Sequence, residues 1–63
     1  MTKSQKRVIK NVAVRVWQLS RETARCPETI AVSKALNGEA ADLAELIGLN
    51  RGDLNELAGP EPD

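Results

Sequence analysis

No covalent or metal staple is available to this chain of 63 residues, because Cys26 is its only cysteine and histidine is absent. That count excludes an intrachain disulfide and a cysteine/histidine zinc site. A chain this short buries only about 60% of its unfolded surface, so well-packed helices or a partner chain must supply what a staple would. The size limit therefore predicts a homodimer, or a partner that completes the core. A lone cysteine suits a reducing compartment, where Cys26 serves as a small residue at a helix junction rather than a redox thiol.

The apolar residues recur at helical spacing between glycine and proline breaks. Thr2 followed by Gln5 is a capping-box pair and opens a basic helix over about 3–25. Val8, Ile9, Val12, Val16 and Leu19 form its expected buried stripe, widened by Ala13 and Trp17, while Val14 lies off it toward solvent or a partner. Trp17, the single aromatic, is the expected core anchor. Cys26-Pro27 is the first break, since proline fits the first position of a helix and disfavours helical geometry just before it. A second helix is expected over about 27–36, burying Ile30, Ala31, Ala35 and Leu36, with Asn37-Gly38 as its end. A third spans about 39–47 and stops at Gly48. Asn50 then caps a fourth, about 50–58, with Asp53 in its first turn. Gly59-Pro60 closes the domain at 1–59, and 60–63 reads as a disordered tail. The expectation is an all-α fold, a small three- to four-helix domain.

Charge is balanced overall but not along the chain. Residues 1–25 carry seven cations against Glu22, a net +6, and residues 26–63 carry Lys34 and Arg51 against eight acids, a net −6. Such asymmetry points to a nucleic-acid or anionic partner, or to basic and acidic helices that neutralise each other. No segment approaches the ~20 apolar residues of a membrane span. The basic start lacks the apolar stretch and cleavage site of a signal peptide, so a cytoplasmic protein is expected. One aromatic is too few for a single-strand stacking platform. With no histidine, no tyrosine, no phosphate-binding glycine loop and no nucleophile elbow, the expectation is a non-enzymatic protein with no cofactor, no metal and no small-molecule substrate.

Residues 40–59, AADLAELIGLNRGDLNELAG, have a further pattern. The fifth place is small (Ala44) and the ninth is a turn residue (Gly48). The fourth, eighth, tenth, fifteenth and eighteenth are apolar: Leu43, Ile47, Leu49, Leu54 and Leu57. Ala44 suits a close helix crossing, and Gly48 takes a left-handed backbone without a Cβ penalty. The segment resembles the helix-turn-helix family of regulators over about a third of the chain. The resemblance implies a supporting helix at 40–47 and a recognition helix at 50–58. Asn50, Arg51 and Asn55 would then face bases, asparagine pairing with adenine and arginine with guanine. Lys3, Lys6, Arg7 and Lys10 would grip phosphates. The segment ELIGLNRGDL, 45–54, also resembles the ending of short arginine-rich bacterial proteins of the YjiS type, some implicated in RNA binding. Arg51-Gly52-Asp53 reads as turn and cap chemistry rather than an adhesion tripeptide.

Against the family pattern, the acids Glu39, Asp42, Glu45, Asp53, Glu56, Glu61 and Asp63 surround Arg51, the only cation within 38–63. Two functions follow. One is a small regulator that binds DNA or RNA through the helix-turn-helix unit and the basic first helix. The other is a protein-interaction or self-assembly module that uses the same scaffold without nucleic acid.

Overall fold

The computed structural model describes residues 1–60. Three α-helices make up the fold: α1 (Lys3–Thr23), α2 (Ile30–Glu45) and α3 (Arg51–Ala58), with a single 3₁₀ turn at Pro27–Thr29. There is no strand among the described residues, so the chain is all-α. The expected tail at 60–63 lies, beyond Pro60, outside the described residues.

Local chemistry starts each helix. The Thr2 hydroxyl accepts from the Gln5 backbone N–H, and the Gln5 side chain accepts from the Thr2 N–H at 2.8 Å. Asn50 and Asp53 make the same reciprocal cap on α3, each bond at 2.9 Å. Pro27 opens a 3₁₀ turn rather than a full helix, and the Thr29 hydroxyl fixes that corner by donating to the Thr23 carbonyl at 2.6 Å. The polypeptide reverses there, so α2 runs back antiparallel along α1, with Ser33 donating to the Ser20 carbonyl at 2.6 Å.

Two helices expected at 27–36 and 39–47 are one. Asn37-Gly38 does not end a helix. Gly38 has no left-handed backbone, and a glycine without one weakens a helix by roughly 1 kcal/mol but does not stop it. Burial carries the helix across it, because Ser33, Ala40 and Ala44 lie on one face spaced by seven and four residues. Asn37, expected as part of a terminator, instead donates its amide to the Ser20 hydroxyl at 3.5 Å. The real end comes at Gly48, whose φ is +79°. The Gly48 N–H donates to the Glu45 carbonyl at 3.1 Å and the Leu49 N–H to the Ala44 carbonyl at 2.9 Å, the paired bonds of a Schellman cap.

The buried core is Ala13, Trp17, Ala40, Ala44 and Leu54, joined by the polar Ser20 and Ser33. Val14, Val16, Leu43, Leu49 and Ala58 pack partly buried around it. This corrects several expectations. Val8, Val12 and Leu19 are exposed, Val14 packs inward, and on α2 Ile30, Ala31 and Ala35 are exposed while Leu36 is half-buried. The reason is steric. Alanine and serine let two helix backbones approach closely, and the serine hydroxyls find carbonyl partners within the crossing. The face with the small residues therefore turns inward, and the bulkier valine and leucine line, about a third of a turn round the helix, is left outside.

Candidate functional site

The cations expected to grip an anion come together at one end of the molecule. Lys3, Lys6, Arg7 and Lys10 line a shallow hollow with Ile47 and Leu49, the two apolar residues that flank Gly48. Spacing within α1 puts these side chains on adjacent ridges, because residues three and four apart share a helix face. The antiparallel return of α2 delivers its terminal turn beside them. Among the described residues, none of the four makes a hydrogen bond or ion pair through its side chain. The cluster is therefore positive, open to solvent and edged by half-buried apolar residues.

The polar residues of α3 are used differently. The indole N–H of Trp17 donates to Asn55 Oδ1 at 3.0 Å, and Arg21 Nη2 donates to the same oxygen at 2.7 Å. Arg21 also donates through Nη1 to the Gly59 carbonyl at 2.7 Å, and Gln18 donates to the Ala58 carbonyl at 3.3 Å. Those carbonyls belong to the last turn and cap of α3, where no intrahelical donor remains and a cation is favoured by the helix dipole. Asn55 thus ties α3 to α1. Asn50 spends its side-chain oxygen on the Asp53 N–H. Gly52 leaves room for that cap, since a Cβ there would sit 3.1 Å from Asn50 Oδ1. Arg51 alone of the three expected base readers is an exposed side chain with no intramolecular bond among the described residues.

Of the other three residues singled out from sequence, two lie in the core and one, exposed, closes the end of α2. Ala44 is fully buried and its carbonyl accepts the Schellman bond, Gly48 carries the left-handed cap, and Trp17 is 7% exposed. Sequence reasoning missed Arg21 and Gln18, which bind the end of α3. The available signal was their spacing, as both follow Trp17 on neighbouring ridges of α1, but a partner 34 to 40 residues away is invisible to local patterns.

Among the described residues, no group of three or more cysteine, aspartate or glutamate side chains is placed to hold a metal ion. No helix is long and apolar enough to cross a membrane. No protein-family model, no curated protein and no solved structure matches this chain.

Proposed function

We propose that this is a non-enzymatic interaction module whose recognition surface is the cationic hollow of Lys3, Lys6, Arg7, Lys10, Ile47 and Leu49, and whose partner is an acidic protein segment with apolar side chains. The observation that carries this reading is that four cations converge around two half-buried apolar residues with no acid among the described residues paired to them. Exposed cations repel one another, so the arrangement costs stability unless an anion completes it. Apolar groups at the edge of the cations favour a partner that brings hydrocarbon as well as charge.

A second reading uses the same cations on nucleic-acid phosphates, as the helix-turn-helix resemblance implies. Its support is Arg51, exposed on the first turn of α3. Its weakness is that Asn50 and Asn55 have their side-chain oxygens engaged, and that Asp53 and Glu56 share the short helix with Arg51. Base readout needs free hydrogen-bonding edges, and carboxylates near phosphates oppose binding. We therefore rank the protein partner first.

Fluorescence anisotropy separates the two. A labelled peptide rich in glutamate and leucine is titrated with the full chain, then competed with a mixed-sequence DNA duplex. The proposal expects saturable peptide binding that is lost in Lys6→Glu/Arg7→Glu and only partly weakened by salt. If only the duplex binds, with affinity collapsing between about 50 and 200 mM salt, the phosphate reading replaces it. If neither binds, both readings fall.

A further inference from the structure

The opposite side of α1 carries a separate surface. Val8, Val12 and Leu19 are 57%, 43% and 47% exposed, and Met1, at 65%, lines one hollow with Ser4, Gln5, Val8 and Ile9. With Gln5 and Arg15, both exposed, these residues form a line at 5, 8, 12, 15 and 19. The gaps alternate three and four, which is the seam spacing of a two-helix coiled coil. At 100° per residue the line is centred roughly half a turn from Lys10 and well away from Lys3, Lys6 and Arg7. The seam and the cationic hollow therefore do not compete for the same occupant.

We infer that this seam is occupied by a second copy of the chain, with the two α1 helices antiparallel. The pattern is self-complementary in one direction only. Laid antiparallel about Lys10, Val8 meets the partner's Val12, Val12 meets the partner's Val8, and Leu19 lies toward the partner's N-terminal end, where Met1 borders Val8. The one charged seam residue, Arg15, then faces the partner's Gln5, whose amide oxygen accepts from the Thr2 N–H and keeps a second lone pair. A parallel arrangement would instead set Arg15 against the partner's Arg15, a like-charge contact. Beside the seam lie Ser4, Asn11 and Gln18 on one edge and Ile9 and Val16 on the other, so no cluster of like charge is forced together. Lys3, Lys6, Arg7 and Lys10 of each copy lie away from the seam.

The seam from Gln5 to Leu19 is about 21 Å long, and two such faces bury an area at the low end of specific interfaces. The dimer is accordingly reversible, with a dissociation constant on the order of micromolar. Its driving force is apolar burial, so rising salt leaves it unchanged or tightens it.

Sedimentation equilibrium on the full chain tests the inference, with circular dichroism to show that each variant is helical. Wild type should dimerise at both low and high salt, and Val12→Glu should weaken the dimer roughly 100-fold, as expected when a charge enters an apolar contact twice. Orientation is read by mixing Cys26→Ser/Val8→Cys with Cys26→Ser/Val12→Cys under oxidising conditions and mapping the disulfides by mass spectrometry. Antiparallel pairing predicts that 8-to-12 links exceed 8-to-8 and 12-to-12 links. A chain that stays monomeric at millimolar concentration overturns the inference and leaves the face to a different protein. A dimer that dissolves in salt, ignores Val12→Glu or forms mainly like-to-like links also overturns it. None of these outcomes bears on peptide binding at the cationic hollow, which sits on the other side of the helix.

Discussion

The two halves of α1 do different work. From Ala13 onward one face of the helix is bound to the rest of the fold: Ala13 and Trp17 enter the core, Ser20 meets Ser33 of α2, and Gln18 and Arg21 hold the end of α3. Before Ala13 no residue is buried, although the sequence there is as apolar in pattern and far more basic. The difference teaches that helical amphipathicity alone does not decide what is inside. Small residues that permit close backbone approach and polar groups that find partners chose the packed half. The remaining half leaves Val8 and Val12 exposed.

The sharpest break of that contrast comes from the packed half. Leu54→Ala, at a fully buried position, should cost roughly 2–5 kcal/mol, seen in so small a domain as loss of the cooperative melt in thermal circular dichroism. Next is Asn55→Ala, which leaves the Trp17 indole N–H and Arg21 without their shared acceptor and should cost about 1–3 kcal/mol. In a cycle with Trp17→Phe the two losses should be less than additive, because both remove the same hydrogen bond. Full additivity would show that the bond contributes nothing to the fold.

Smaller effects test the two glycines of the α2 region against each other. Gly48→Ala forces a Cβ into a left-handed backbone and should destabilise by about 1 kcal/mol. Gly38→Ala should do the reverse by a similar amount, since Gly38 is helical and an added Cβ meets nothing within 4 Å. Opposite shifts in melting temperature, about 4–8 °C each way, would bear this out. The least effect on stability belongs to the exposed half. Lys6→Ala and Arg7→Ala should stay within about 0.5 kcal/mol of wild type in urea melts, or gain slightly from reduced repulsion, while weakening binding of an acidic peptide.

What was readable in the sequence follows the reach of each interaction. The reciprocal caps at Thr2–Gln5 and Asn50–Asp53 span three residues, and the all-helical class follows from periodicity, so local rules were enough for both. Gly38 misled because a glycine reads the same whether it ends a helix or lies within one, and only the burial of Ala40 and Ala44 beyond it decides. The exposed Val8–Val12–Leu19 line misled because apolar spacing marks a stripe without saying which neighbouring stripe packs. Asn55 reads as an exposed polar residue of a short helix, and its bonds to Trp17 and Arg21 depend on contacts more than 30 residues apart in sequence.

The central claim is that the unpacked end of α1 is a binding surface for an acidic protein segment. An amide NMR titration of the full chain with a glutamate- and leucine-rich peptide, at about 50 mM and about 200 mM salt, tests it most directly. The account predicts shifts at residues 3–10 and 47–49 that shrink but persist at the higher salt, with 13–21 unmoved. Shifts centred on 50–56, or none at 3–10, would contradict it.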